Sequence, residues 1–215
     1  MNLSLFRNEP NALVIARLPR TGLGNMLFVW ARALVFSRLN GLPLITSGWG
    51  HIHLGPILRG ERHRRFYGRY FSKMDAVPVW RKWIALLWYT KMPEPEITRL
   101  SAPPSRHSLY VFSQIPHWQD YFKGIREHRD LVHSSFQQML KPHYHERLMQ
   151  LERPWIGVHI RRGDFRTLQP GEEFAKVGLV RTPLEYFREL IMGVRQIHGT
   201  DLPVTVFSDG YDEEL

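Results

Sequence analysis

A short apolar run, a glycine loop, an apolar helical stretch and a second short run follow one another near the start of the chain. Ala12–Ala16 is typical of a buried strand, and Met26–Leu39 predicts a helix that ends at Asn40-Gly41. Pro43–Thr46 predicts the next strand. This order of strand, loop, helix and strand predicts an α/β protein with a parallel sheet.

The last third of the sequence repeats the same order. Trp155–Ile160 and Pro203–Phe207 predict two strands. Between them, Thr182-Pro183-Leu184-Glu185 predicts a helix start with Thr182 as N-cap and a capping box. A two-strand parallel unit cannot cover both of its faces, so we expect the chain to be truncated inside its second domain, after Leu215.

The middle of the chain contains a tryptophan-rich helical pattern over Pro78–Met92. Its apolar stripe consists of Trp80, Trp83, Ile84, Leu87 and Trp88, with Arg81 and Lys82 off the stripe. We expect this stripe to be buried against the rest of the fold, and interfacial membrane docking is the alternative. Leu109–Ile115 predicts a strand, and Asp120–Leu151 predicts helix with a break at Pro142.

Composition narrows the class of protein. The 215 residues include 29 Lys+Arg against 20 Asp+Glu, a net charge of +9, which favours an acidic or phosphorylated partner. There is no cysteine, so disulfides and thiol chemistry are excluded.

No apolar stretch has the length of a membrane span, and we expect a cytoplasmic location, with peripheral membrane contact as an alternative. The His51/His53 and His143/His145 pairs lack an acidic third ligand, so we expect no metal site.

Three polar segments follow predicted parallel strands, where ligands of open α/β sheets bind. They are Gly22-Leu23-Gly24-Asn25, His159-Ile160-Arg161-Arg162-Gly163-Asp164 and Ser208-Asp209. The first segment is neither a P-loop nor a full dinucleotide fingerprint. Its backbone amides suit a phosphate or a sugar hydroxyl, and a tight turn that binds no ligand is the alternative. In the second, paired guanidinium groups suit phosphate oxygens, with a surface ion-pair network as the alternative. Asp164 could fix a guanidinium or accept bonds from loop amides.

These segments resemble a known enzyme family. His159 to Asp164 resembles the His-x-Arg-Arg-x-Asp motif of the fucosyltransferase superfamily. Arg20–Phe28 resembles the amino-terminal segment of family 11 α-1,2-fucosyltransferases, and Phe207-Ser208-Asp209 resembles their Phe-Ser-Asp-Asp segment. The resemblance implies a GT-B-like fold of two Rossmann-like lobes, with residues 1–150 as the acceptor-side lobe and residues 151–215 as the incomplete start of the GDP-sugar lobe.

The resemblance also implies an activity and a set of site residues. The reaction would be inverting transfer of L-fucose from GDP-fucose to a glycan hydroxyl, without a metal or other cofactor. Arg161 would be the catalytic residue that neutralises the departing β-phosphate. The donor-binding residues would be Gly22, Gly24, Asn25, His159, Arg162, Asp164, Ser208 and Asp209. The partners would be a nucleotide sugar and a glycan acceptor, and we expect no nucleic acid.

Several alternatives stay open at this point. Met26 and Gly210 depart from the family pattern, and a later nucleotide-binding segment of the family would lie beyond Leu215. A truncated, inactive transferase and a transferase for another nucleotide sugar are therefore alternatives. A basic module that binds nucleic acid or acidic polysaccharide through the Arg59–Arg69 cluster is another. The general base is undetermined among His51, His53 and Asp164.

Overall fold

The computed structural model describes residues 12–51, 57–58, 66–72, 77–104, 107–115, 120, 122–151, 155–163, 165–178, 180–210 and 213. The chain divides into two compact units. The first consists of Met1–Ile52 with Arg65–Arg147, and the second of His53–Arg64 with Leu148–Leu215. His53, Asp164 and the Arg59–Arg65 part of the basic cluster lie outside the described residues.

The first unit is built on a four-stranded parallel sheet. Its strands are β1 (Ala12–Arg17), β2 (Leu44–Ser47), β3 (Thr90–Met92) and β4 (Ser108–Phe112), in the order β2-β1-β4-β3. The predicted strands at 12–16, 43–46 and 109–115 are confirmed to within a few residues. Strand β3 is a correction, because Thr90–Met92 was predicted as the end of a helix. Its three residues pair with Ser108–Tyr110 instead.

Both faces of this sheet are covered, as the period-two alternation of β1 shows. Ala12, Val14 and Ala16 join one buried cluster, which includes most of helix α1 (Leu23–Leu39). Leu13 and Ile15 join a second cluster with Ala85 of helix α2 (Val79–Trp88). Each β1 side chain named here is no more than 3% exposed. The α/β class with a parallel sheet is therefore confirmed.

The tryptophan-rich stripe of α2 is not buried, which overturns the expected burial. Trp80 is 52% exposed, Trp83 61%, and Trp88 78%. The helix packs through its opposite face, where Arg81 and Ala85 are its buried residues. Ala85 is small enough for close approach to the sheet, and the aliphatic stem of an arginine can be buried beside it. Packing through a small residue therefore leaves the largest side chains outside.

The segment after β4 is mainly helical, as predicted. Helix α3 spans Arg129–Met139, and helix α4 spans Pro142–Gln150. The predicted break is confirmed, and Pro142 itself is the first residue of α4, where its missing N–H is not needed. Met139 is buried against α1, so α3 and α1 share the first core cluster.

The second unit contains a parallel strand pair. Strand β5 (Ile156–Ile160) pairs with β6 (Val204–Ser208), and helix α5 (Leu184–His198) lies between them in the sequence. The predicted β-α-β order is confirmed, but the predicted cap is wrong. Pro183, in an extended conformation, is the N-cap, no side chain caps the helix, and Thr182 is one residue too early. No residue of α5 is buried.

No helix within the described ranges is long and apolar enough to cross a membrane.

Candidate functional site

The carboxyl ends of β5 and β6 bring two of the predicted polar segments together. Ile160 and Ser208 form the last pair of the parallel ladder, so Arg161 and Asp209 follow side by side. The structure thus joins Arg161, Arg162, Gly163, Ser208 and Asp209 at one sheet edge. In the sequence, the residues that follow β5 and those at the end of β6 are more than forty positions apart.

Asp209 is the centre of this group. Its Oδ1 accepts hydrogen bonds from the backbone N–H of Arg162 at 2.7 Å and of Gly163 at 3.1 Å. Its Oδ2 lies 3.0 Å from Arg161 Nε in an ion pair. Burial alone would raise the pKa of the Asp209 carboxyl, but the two amides and the Arg161 charge outweigh it and hold that pKa below its ordinary value. Asp209 thus contacts a guanidinium and two loop amides, the kind of role that was expected for Asp164, which lies outside the described residues.

Gly163 makes this close approach possible. A Cβ atom on Gly163 would lie 2.9 Å from Asp209 Oδ2 and 3.2 Å from its Cγ, which is closer than real side chains come. The glycine of the motif therefore leaves room for the carboxylate to reach both loop amides. No unusual backbone angle is required of it.

The two arginines have different surroundings because they follow a strand. Val158, Ile160 and Arg162 are buried on one side, whereas His159 points to the other side and is exposed. The Arg161 side chain is 40% exposed, and its Cζ lies 4.9 Å from the centre of the Phe165 ring. Arg162 is only 8% exposed, and its Nε finds no hydrogen-bond partner in the described part of the chain.

The loop after the arginines is held by several contacts. Arg181 Nε donates to the Phe165 carbonyl at 2.7 Å, which fixes the residue under Arg161. Arg166 donates to both carboxylate oxygens of Glu172 at 2.6 and 2.8 Å, and these bonds hold the pKa of Glu172 at about 2. Sequence reasoning missed Phe165, for which an aromatic residue inside a polar loop was the only signal.

Ser208 has a local role in this structure. Its Oγ accepts a hydrogen bond from the backbone N–H of Gly210 at 3.0 Å, which shapes the turn after β6. Ser208 thereby helps to position Asp209 toward the Arg162-Gly163 loop.

The glycine loop of the first unit follows β1, as predicted. Helix α1 lies on one face of the sheet and α2 on the other, and β1 neighbours both β2 and β4. The carboxyl end of β1 lies between those of β2 and β4, at the edge of the sheet where ligands of parallel sheets usually bind.

Gly22 caps α1 without a side-chain hydrogen bond, and Asn25 lies half-buried in the first turn. The N–H of Leu23 donates to the Tyr67 hydroxyl at 3.2 Å, a contact that the sequence did not indicate. A Cβ atom at Gly22 or Gly24 would meet nothing within 4 Å. Neither glycine is demanded by packing or by a positive φ, so their small size is available to a ligand.

His51 lies in the loop after β2, at the same sheet edge. The backbone N–H of His51 donates to the Gly48 carbonyl at 3.1 Å. Gly48 has a φ of 117°, and a Cβ atom there would lie 2.9 Å from Leu18 Cβ and 3.0 Å from His51 Cε1. Burial, and secondarily the charge of Arg20 in the glycine loop, lowers the pKa of His51. Its Nδ1 is buried and has no hydrogen-bond partner within the described residues. The lowered pKa favours the neutral form of the His51 imidazole.

An apolar cavity of about 520 Å³ begins at Gly24. Its walls come mainly from α1, α3 and the segment before α3, and the polar side chains among them are Arg126, Arg129 and His133. Such a lining suits an apolar group better than a sugar hydroxyl.

In the described ranges, no group of three or more His, Cys, Asp or Glu residues is placed to hold a metal ion. Comparison with known proteins finds no family model, no curated protein and no solved structure that matches this chain.

Proposed function

We propose that this chain is a GT-B-like, nucleotide-sugar-dependent glycosyltransferase that transfers fucose from GDP-fucose to a glycan hydroxyl. The resemblance of its three polar segments to the family 11 α-1,2-fucosyltransferases supplies the reaction. The observation that supports it most directly is the arginine pair at the carboxyl edge of β5 and β6, with the buried Nε of Arg162 lacking a partner among the described residues. A buried guanidinium N–H without an acceptor is unfavourable on its own, and an anion that accepts from it removes that cost.

The charges of this edge fit a diphosphate. Arg161 and Arg162 contribute two positive charges and Asp209 one negative charge, so these three side chains together hold +1 (2 − 1). Asp209 is a positioning residue in this proposal, because its oxygens already face Arg161 and the loop amides. Arg161, half-exposed and supported by Phe165, contacts the β-phosphate, and Arg162 holds the diphosphate from the buried side.

The chemistry needs charge stabilisation at the leaving group. Breaking the sugar–phosphate bond builds positive charge on the sugar ring and negative charge on the departing GDP. A fixed guanidinium at the β-phosphate stabilises that negative charge, and it does so without rearranging when it is already held by Asp209. The Asp209–Arg161 pair therefore pre-organises the catalytic cation.

His51 is our choice for the general base. A base must be neutral before it accepts the proton of the acceptor hydroxyl, and the lowered pKa of His51 keeps it neutral. Its Nδ1 is buried and has no hydrogen-bond partner among the described residues, so in this proposal the acceptor hydroxyl enters the space next to that atom. In this proposal Gly22, Gly24 and Asn25 bind sugar or phosphate oxygens through the glycine loop.

The test compares Arg161→Ala and Arg161→Lys with Arg166→Ala, whose arginine lies in the same loop but pairs with Glu172. With GDP-fucose and an acceptor, we expect at least a ~100-fold loss of turnover in Arg161→Ala and near-normal turnover in the control. Lysine should restore little, because it lacks the paired N–H groups. Near-normal turnover in Arg161→Ala would overturn the proposal.

The same protein also tests the binding-module alternative. Titration with GDP, GDP-fucose and a random oligonucleotide at two salt concentrations separates the two functions. Binding that falls steeply with salt and ignores GDP indicates a phosphate-backbone binder and contradicts the transferase.

A further inference from the structure

Helix α2 exposes an apolar face. Its apolar side chains are each at least 39% exposed, and they are Val79, Trp80, Trp83, Ile84, Leu87 and Trp88. At 100° per residue these six side chains occupy one half of the helix. The other half contains Arg81 and Ala85, through which the helix packs on the sheet. The tryptophan face is defined as these six side chains.

The charges around the tryptophan face are of one sign. The sequence from Val77 to Pro93 contains no Asp or Glu, and its basic residues are Arg81, Lys82 and Lys91. Arg81 is buried on the packing side of the helix, and the Nζ of Lys82 lies 3.5 Å from the Thr46 carbonyl, so Lys91 is the exposed cation of the three. Lys91 is exposed on β3, which is an edge strand of the sheet. A basic segment with tryptophans on one face is the composition of helices that lie in the interface of an anionic bilayer.

The size of the face argues against a protein partner. Ten residues make a helix about 15 Å long, and half of its surface is on the order of 250 Å². A standard protein interface buries about 800 Å² on each partner. A bilayer has no such threshold, because tryptophan rings place their apolar body among the acyl chains and their N–H in the headgroup layer.

We propose that the tryptophan face docks the protein on anionic membranes, with α2 lying in the interface plane. A helix of this length enters one leaflet without crossing the bilayer. In this proposal the exposed Lys91 contacts the headgroups, and the three indole rings supply most of the apolar area. This proposal is independent of the proposed transferase activity.

The test uses the full chain and vesicles of phosphatidylcholine with 30% phosphatidylserine, compared with pure phosphatidylcholine. A triple variant, Trp83→Ser, Leu87→Ser and Trp88→Ser, removes the centre of the face. A matched control replaces exposed apolar side chains of α5 with Leu190→Ser, Met192→Ser and Ile197→Ser; these are 52%, 52% and 77% exposed. Co-sedimentation measures the partition coefficient, and circular dichroism checks that each variant is folded.

We expect the wild type and the control to bind the anionic vesicles, with a blue shift of the tryptophan emission. The triple variant should lose at least about 100-fold in partitioning, since each buried large side chain contributes roughly tenfold. Lys91→Gln should lower binding to anionic vesicles about fivefold.

Three results would overturn the proposal. They are a wild type that does not bind vesicles, equal binding by the triple variant, and an equal loss in the control. If light scattering shows a wild-type dimer that the triple variant abolishes, and no vesicles are bound, the face is a protein interface instead.

Discussion

Replacing Gly163 by alanine would displace the carboxylate that organises the arginine loop. The new Cβ would lie 2.9 Å from Asp209 Oδ2 and 3.2 Å from Cγ, so one of the two residues must move. Asp209 follows the end of β6, and Gly163 follows β5, so the clash pushes apart the two segments that the sheet brings together. The loop amides of Arg162 and Gly163 then lose their common acceptor.

The loss can be estimated from the contacts. A hydrogen bond to a charged group contributes about 1.5–3 kcal/mol, and we take about 1 kcal/mol for each of these two because the site is partly exposed. The Arg161–Asp209 pair adds no more than about 0.5 kcal/mol, since the arginine side chain is 40% exposed. We therefore expect Gly163→Ala to lower the free energy of opening of the β5–β6 pair by about 2 kcal/mol.

Native-state amide hydrogen exchange measures this quantity locally, which matters because two compact units need not unfold together. About 2 kcal/mol corresponds to a roughly 30-fold faster exchange of the β5 and β6 amides. Gly178→Ala is the matched control, because a Cβ there would meet nothing within 4 Å. Unchanged protection in Gly163→Ala, or the same loss in Gly178→Ala, would refute the reasoning.

Two further predictions concern pH and the glycine loop. Because the pKa of Asp209 is lowered in the folded protein, its carboxylate stabilises β5 and β6 fully above about pH 4, and this stabilisation is lost as the pH falls through the lowered pKa. The extra protection of the wild type over Asp209→Asn should thus be constant from pH 5 to 8 and should shrink below pH 4. Gly24→Ala should raise the free energy of unfolding by roughly 0.5–1 kcal/mol in urea titrations, because the residue is helical and a Cβ atom there meets nothing. Lower turnover in that more stable variant would indicate that a ligand binds against Gly24.

The first β-α-β segment could be predicted from its sequence because packing on both faces demands apolar residues there. Ala12–Arg17 is apolar at each of its first five positions, and those five residues are all buried. The register with β4 could not be predicted, since it depends on a strand almost a hundred residues later. The three-residue strand β3 is too short to show a period of its own.

The burial of α2 was predicted for the wrong face, and the reason is different. Periodicity indicates which side chains share a face, but it does not say which face meets the sheet. The sequence stripe through Trp83 is real, yet Ala85 and Arg81 contact the core. An apolar stripe on a helix predicts burial only when another part of the fold packs against that face.

At the candidate site, the sequence indicated the arginine loop but not the contact that Asp209 makes with it. The expected contact of Asp164 with the loop stays a prediction, because Asp164 lies outside the described residues. Asp209 contacts the loop because parallel pairing places it opposite. Contacts across a sheet depend on register, and a single sequence does not contain the register. The unpartnered Nε of Arg162 likewise became visible only when the burial of that side chain was known.

Arg162 offers the sharpest distinction between a structural and a ligand-binding role. If its guanidinium stabilised the fold, replacement by methionine would destabilise the second unit. Because Arg162 is 8% exposed and its Nε lacks an acceptor in the described residues, we expect the reverse. Methionine has a similar length without the desolvated charge, and such replacements can stabilise by about 1–4 kcal/mol. Arg162→Met should therefore slow the exchange of the β5 amides and weaken GDP binding, measured by calorimetry, by at least tenfold. Lower stability with unchanged GDP affinity would assign Arg162 to the fold alone.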